Sequence, residues 1–448
     1  MNFATFARST ALVAAVALIP ATTSGMAEID GRAGPQFAKL FAVYQKVKAD
    51  YVDPVQDDKL VKGAINGMLA ALDPHSAYLD GSDLQRLETM IDGNYSGLGL
   101  SVVMDDGAVK VVSPFKGSPA DKAGIKAGDY ITHLDGKLIY GGSLDDAVNQ
   151  MRGKTGTKVK LTIYRPGRDE PFDVSVTRGV IELEPVTSEL LKGNIGHISV
   201  NEFSKDVGND VFTAYEGLRA KAGGKLNGLV LDLRKNPGGS LDEAVALSDL
   251  FLTNGRIVSQ RGRAPGETIV YDAETVFRGE MAQGVPVIVL IDEGTASASE
   301  IVAGALQDHH RAVIMGERSF GKGSVQTLIP LGPDAALKLT TARYYTPSGH
   351  SVQEGGIQPD IVVPQLTDPD FALREKMSLR ESDLRGHLVN EAALKDTDLE
   401  QDKRADPRFQ QTAEQLKAKG IEDFQLNYAV ETLRRTAGVG AKTLAKRP

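Results

Sequence analysis

The sequence predicts an α/β protein with helical extensions at both ends, on three observations. Between about residues 195 and 364, short apolar runs (195–200, 228–233, 285–291, 312–315) alternate with helix-length stretches (207–221, 241–252, 299–307). That order stacks helices on a sheet. Ahead of it, residues 93–178 form a glycine-punctuated module of short alternating segments. Residues 37–72 and the stretch after about 368 carry helical periodicity or charge with no strand signal.

The chain has 448 residues, 41% of them hydrophobic and 25% charged. That is an ordinary globular composition with length for about three units of ~150 residues. A net charge of −8 argues against a chain held to nucleic acid by its phosphates, so no nucleic-acid partner is expected. The absence of cysteine excludes disulfides, zinc–thiolate sites and a thiol nucleophile.

Residues 1–27 read as a secretory signal. Arg8 precedes an apolar run over 10–21, and Gly25-Met26-Ala27 places small residues for cleavage after Ala27. The run is short for a span of about 20 residues and is broken by Pro20. Export to the periplasm or cell envelope is therefore expected. An N-terminal helical segment follows over 28–92. Apolar residues recur at Leu40, Val43, Tyr44 and Val47, then at Leu60, Ile65, Met68 and Leu69, with a break at Tyr51-Val-Asp-Pro54. Residues 73–79 read as a turn, and a short helix is expected near 83–91.

The module over 93–180 should hold strands at 99–103, 109–112, 130–134, 158–164 and 172–176. Helices are expected at 144–151 and at Ser118-Pro119-Ala120, where Ser caps and Pro opens the first turn. The core is expected over 181–366 and a helical extension over 367–448.

Three segments carry chemistry. Asp292-Glu-Gly-Thr-Ala-Ser297-Ala-Ser-Glu300 joins an apolar strand to an apolar helix. A serine at that turn lies at the helix's positive end, beside free amides that suit an oxyanion; Ser297-x-x-Glu300 equally fits a plain capping box. In Gly316-Glu-Arg-Ser-Phe-Gly321-Lys322-Gly323-Ser-Val-Gln326, glycines on either side of a lysine let the backbone approach another element. A lysine pressed into a partly apolar cleft loses basicity and can serve a serine as base. A regular strand would put Lys322 and Gln326 on one face. The spacing nearly spells a phosphate loop, but Gly323 stands where Ser or Thr should bind Mg²⁺, so no nucleotide is expected. Asp232-Leu-Arg-Lys-Asn-Pro-Gly238-Gly239 ends an apolar strand in a tight turn, either an oxyanion nest or an ordinary loop.

Together with Met68-Leu-Ala-Ala-Leu-Asp-Pro-His-Ser-Ala-Tyr-Leu79, Gly97-Leu-Gly-Leu100 and Gly355-Gly-Ile-Gln-Pro-Asp-Ile361, these segments resemble the carboxyl-terminal processing peptidases. These are tail-specific serine proteases of family S41 with a Ser–Lys centre. The resemblance covers about residues 35–385. It implies a crotonase-like α/β core with an inserted PDZ domain, Ser297 as nucleophile, Lys322 as base and Gln326 as support. It also implies oxyanion donors from the backbone of Ala298 and of Gly238 or Gly239. Gly97, Leu98, Gly99 and Leu100 would grip a substrate's C-terminal carboxylate, and Arg165 or Arg178 at the module's exit would report substrate engagement. Implied partners are protein substrates with accessible C-termini, further copies of the chain and an adaptor protein; no metal or nucleotide cofactor is implied. His309 and His310 follow Asp308, but neighbours on a helix point about 100° apart, which is poor for one metal, and with a complete Ser–Lys set at hand they read as solvated or capping residues rather than part of a triad. A catalytically inactive PDZ scaffold is the alternative reading.

Overall fold

The computed structural model describes residues 34–81, 83–85, 87, 94–105, 107–115, 117–139, 144–168, 170–182, 185–264, 266–274, 281–367, 380–391 and 409–444. The expected signal segment and the second half of the expected 83–91 helix lie outside them. The chain divides into two units between Gly67 and Met68. In the first, α1 (Gly34–Asp50) stops before Tyr51-Val-Asp-Pro54, and α2 (Asp57–Ala70) restarts with Asp57 and Asp58 in its first turn. Those acids suit the helix's positive end.

The second unit opens with β1 (Ala77–Asp80) and β2 (Asn94–Gly97). An antiparallel sheet follows: β3 (Leu100–Asp105), β4 (Ala108–Pro114), β5 (Tyr130–Leu134), β6 (Lys137–Leu138), β7 (Lys158–Tyr164) and β8 (Phe172–Thr177). Its order is β3-β4-β5-β7-β8, with β6 on β5. Val109, Val111, Ile131, Leu161 and Ile163 fill its interior. Helix α3 (Pro119–Lys122) is capped as its sequence implies, Ser118 Oγ accepting the Asp121 N–H at 3.2 Å. Helix α4 (Leu144–Met151) is the second helix of the module. Strand β9 (Gly179–Glu182) returns to pair with β2.

The core sheet runs β10 (Val186–Leu191), β11 (Ile195–Val200), β12 (Gly228–Asp232), β15 (Val287–Ile291), β16 (Val313–Gly316) and β19 (Ile361–Val362). All are parallel except β10 at the edge. Period-two alternation sorts its side chains. Leu229, Leu231, Val287, Val289 and Ile291 face α5 (Val207–Lys221), α6 (Leu241–Asp249) and α7 (Ala298–Asp308). Val230, Ile288 and Leu290 face the tail, α8 (Ala413–Ala418) and α9 (Phe424–Leu444), through Phe424, Ala429 and Leu433. Burial on both faces explains why these strands read as unbroken apolar runs.

A second, antiparallel sheet, β1-β18-β13-β14 with β17 on β18, was not expected apart from the strand after Lys322. Its members are β13 (Arg256–Gly262), β14 (Thr268–Asp272), β17 (Ser324–Pro330) and β18 (Ala335–Tyr345). Strands β14, β17 and β18 are largely half-exposed or exposed, β13 is buried only over Ile257–Gln260, and all mix apolar with polar residues, which blurs their sequence signal. Arg234 ties the tail to the end of β12: its guanidinium bonds Asp232 (2.6 and 2.8 Å), Asp423 (2.7 and 3.0 Å) and Gln425 (3.0 Å). Arg234 and His197 hold the Asp232 carboxyl well below the usual carboxylate range despite its burial.

Candidate active site

Strand β15 delivers the serine. Past its end, Asp292 Oδ1 accepts the amides of Lys235 (2.7 Å) and Gly294 (3.0 Å), shaping the loop. Ser297 then takes φ 55° and ψ −114° at the mouth of α7, backbone that non-glycine residues rarely adopt. The capping box is built from the glutamate's side. Glu300 accepts the Ser297 N–H at 2.7 Å, while its own N–H goes to the Ser297 carbonyl at 2.9 Å. No side-chain cap bond comes from Ser297 Oγ.

The 233–239 loop is stitched to this turn by Asn236, which is fully buried. Its carbonyl accepts the Ala296 N–H (2.9 Å) and Ser299 Oγ (3.1 Å), and its side chain donates to the Val200 carbonyl (2.8 Å). Asn236 Oδ1 accepts the Gly238 N–H at 2.8 Å, so that amide is engaged within the loop. The bonds pairing Phe203 with this loop, Phe203 N–H to Gly238 O (2.9 Å) and Ser240 N–H to Phe203 O (2.8 Å), flank Gly239 without using its amide. Of the three oxyanion donors inferred from sequence, Gly239 and Ala298 are the two that these bonds leave unused. Gly238 sits so tightly that a Cβ would lie 2.8 Å from both Ala296 O and Ser297 Cβ.

The lysine loop runs from β16 to β17. Glu300, wholly buried, collects four donors: the amides of Ser297, Gly321 (2.7 Å) and Lys322 (3.0 Å), and Ser319 Oγ (2.6 Å). Burial pushes its carboxyl up to about 7 against these bonds. The Gly323 N–H donates to Gln353 Oε1 (3.0 Å), Gln353 Nε2 to Glu381 (3.0 Å), and Glu381 meets His75 Nε2 at 2.9 Å. A Cβ on Gly321 would lie 2.8 Å from Glu354 O, and one on Gly323 2.5 Å from Gln353 N. The glycines do admit close backbone approach, as their placement implied. Burial, helped by the Lys338 charge, lowers the Lys322 pKa; Glu381, Glu300 and Asp73 oppose it.

Strand β17 begins only at Ser324, so strand parity does not relate Lys322 to Gln326. Gln326 Nε2 donates to Ser324 Oγ (3.0 Å) and Thr340 Oγ1 (3.2 Å), and Thr340 Oγ1 donates to Asp73 Oδ1 (3.1 Å). The segment that sequence reading treated as a turn, Asp73 to Ser76, thus reaches the site. No hydrogen bond joins Ser297 Oγ to Lys322 Nζ; the two residues are linked through their backbones. The Tyr344 hydroxyl lies between the carbonyls of both, its single O–H shared between Ser297 O (3.1 Å) and Lys322 O. Glu300 and Asn236 stood inside motifs read from sequence, but only as a cap and a turn residue. Gln353, Tyr344 and Glu381 carried no local signal.

In the antiparallel module, the Leu98 and Gly99 carbonyls accept the amides of Ala120 and Phe115, each at 2.9 Å. In a trans peptide the N–H points opposite the C=O, so the Gly99 and Leu100 amides turn away from that contact. Arg178 is spent on carbonyls ending α4, Gln150 O (2.8 Å) and Met151 O (2.9 Å), and Arg165 on Asp129 (2.6 and 2.8 Å). His309 Nε2 lies 2.7 Å from the Arg256 carbonyl. Among the described residues, no group of three or more His, Asp or Glu side chains is placed to hold a metal.

Three family profiles match the chain: "Peptidase family S41" over residues 194–363, "PDZ domain" over 96–176 and "Activating protease CtpB N-terminal domain" over 9–82. A carboxy-terminal-processing protease of Bartonella bacilliformis is 48% identical over 79% of this chain and 80% of its own length. The carboxy-terminal processing protease CtpA of Bacillus subtilis is 39% identical over 75% of this chain and 70% of its own. Among solved structures, a photosystem II D1 C-terminal processing protease is 30% identical, covering 79% of this chain and 93% of its own at a TM-score of 0.46.

The packing at Gly238 yields an expected outcome. Gly238→Ala forces a Cβ against the Ser297 turn at a φ of +100°. Displacing reacting groups by about 1 Å costs on the order of 100-fold in rate. Peptide hydrolysis by the folded variant should fall by about that factor, and a rate within about threefold of wild type would show that the turn absorbs the methyl group.

Proposed function

Because the chain belongs to the carboxy-terminal processing proteases of peptidase family S41, a serine peptidase family, we propose that Ser297 is its nucleophile and Lys322 its general base. The observation that carries this reading is the shared clip on the two residues. Both backbones bond one buried carboxylate, and the lysine amine sits where burial favours its neutral form. Neutral Lys322 takes the Ser297 proton as Oγ attacks the scissile carbonyl. The amides of Ala298 and Gly239 hold the oxyanion, with Gly238 shaping the turn. The lysine ammonium then protonates the leaving amine, and the returned base activates the water that releases the acyl-enzyme. Gln326, held between Ser324 and Thr340, supports the strand beside the base.

Residues 93–180 serve as the PDZ domain in this reading, inserted between the helical segment 28–92 and the α/β core 181–366, with 367–448 as the helical extension. The Gly97–Leu98–Gly99–Leu100 loop grips the substrate's terminal carboxylate. Among the described residues β3 pairs with β4 alone, and its outer edge accepts the peptide as an added strand. Leu100, Val102 and Met104, half-buried against the module's core, suit an apolar tail. Substrates are exported or envelope proteins with accessible apolar C-termini. Residues 1–27 direct export. Helix α1 leaves Phe37 (50%), Leu40 (46%) and Phe41 (59%) exposed on one face, an apolar stripe suited to a second copy of the chain. The inactive-scaffold alternative requires the Ser297–Lys322 geometry to be idle.

Five outcomes test these readings. Lys322→Arg keeps the charge but cannot deprotonate, so peptide cleavage should be abolished while tail binding persists. Wild-type activity should rise with pH through the lysine's lowered pKa, as the neutral amine forms. A folded Lys322→Arg that cleaves near the wild-type rate would overturn the Ser–Lys mechanism. Amidating the C-terminus of a peptide substrate should weaken its cleavage, because the anion loses its amide donors; equal rates for both forms would remove the PDZ loop from substrate selection. Protein from the envelope fraction should lack residues 1–27 by intact mass and should sediment as an oligomer. Retention of the segment, or a monomer, would refute the corresponding assignment.

A further inference from the structure

Ser297 and Lys322 lie on loops after different strands, and no direct bond joins their side chains. Two other side chains set their separation. Glu300 accepts the N–H of both residues, at 2.7 and 3.0 Å. The Tyr344 hydroxyl faces the C=O of both. Each residue is thus flanked, its N–H bonded by one side chain and its C=O faced by the other. Tyr344 is itself fixed to the lysine loop, its N–H bonding the Gly323 carbonyl at 2.9 Å, and its ring is 2% exposed. Burial and the nearby Glu300 and Glu381 charges push its phenol well above the usual tyrosine range, so it stays a proton donor.

We propose that Glu300 and Tyr344 are paired positioning residues for the reaction, stapling the backbone on either side of Ser297 to that on either side of Lys322 so that hydroxyl and amine meet. This rests on the Ser–Lys reading above. Neither side chain need touch substrate. Only an ionised Glu300 can accept from four donors at once; a protonated one turns an O–H toward them. Its carboxyl, pushed up to about 7, therefore loosens the clip as pH falls through that value. The groups facing it are Ser319, Tyr344, Lys322 and the three amides, and Lys322 in turn feels Lys338, Glu381 and Asp73.

The test is steady-state cleavage of a free-tailed peptide by Tyr344→Phe, which removes one oxygen and keeps the ring. The proposal expects kcat at least about fivefold lower with KM within about twofold, and a thermal midpoint and tail-peptide binding close to wild type; a smaller fall in kcat overturns it. Glu300→Gln supplies a second, independent reading should Tyr344→Phe fold poorly. The wild-type kcat/KM should show two ionisations on its acid side, and Glu300→Gln should show only that of Lys322. Persistence of both in the variant overturns the role of Glu300. Lys322→Ala, measured alongside, separates the two ideas. If it still cleaves, the Ser–Lys reading itself has failed; if it is inactive while Tyr344→Phe matches wild type, only the staple has.

Discussion

The buried carboxylate of Glu300 is the constraint on which the site depends. An ionised carboxylate removed from water costs several kcal/mol unless its oxygens are fully bonded. Here four donors from two loops meet that demand. The serine turn and the lysine loop cannot separate without stranding the anion. The interaction that satisfies Glu300 therefore also brings the Ser297 turn and the Lys322 loop together. The glycines beside Lys322 answer a second constraint, since any Cβ there would hold the loop off the backbone of Gln353 and Glu354.

The core sheet supplies the platform. Asp232, Asp292 and Gly316 mark the carboxyl ends of three adjacent parallel strands, and the loops leaving these ends carry Gly239, Ser297 and Lys322. In open α/β sheets that edge is where chemistry gathers. Both faces are covered, one by α5, α6 and α7 and the other by the tail helices. The tail is thus a layer of the core, pinned beside the 233–239 loop by Arg234.

Residues distant in sequence also converge on the Lys322 loop. Gly323 is held by Gln353, Gln353 by Glu381 and Glu381 by His75, while Gln326 reaches Asp73 through Thr340. The lysine loop is therefore braced by segments lying more than 200 positions before it and more than 50 after it. It is a site built by tertiary contact, in which the chemical groups are local and their supports are not.

The sequence by itself determined the parallel strands, the helices between them, the module's strands and the motifs around Ser297, Lys322 and Gly238. Those signals are local: runs buried on both faces, strict alternation, Ser-Pro caps and paired glycines each declare themselves within a few residues. Tertiary structure alone decided the second sheet, whose strands mix polar and apolar residues. It decided that Gly238's amide is taken by Asn236, that Gln326 turns to Ser324 and Thr340, and that Arg165 and Arg178 are spent inside their own module. It also made Glu300 a junction where the sequence showed only a cap. A hydrogen-bond partner selected by packing leaves no periodicity to read, whether it lies two residues away, as for Gly238 and Asn236, or on a distant segment, as for Thr340 and Asp73; it exists only once burial has removed water as the competing partner.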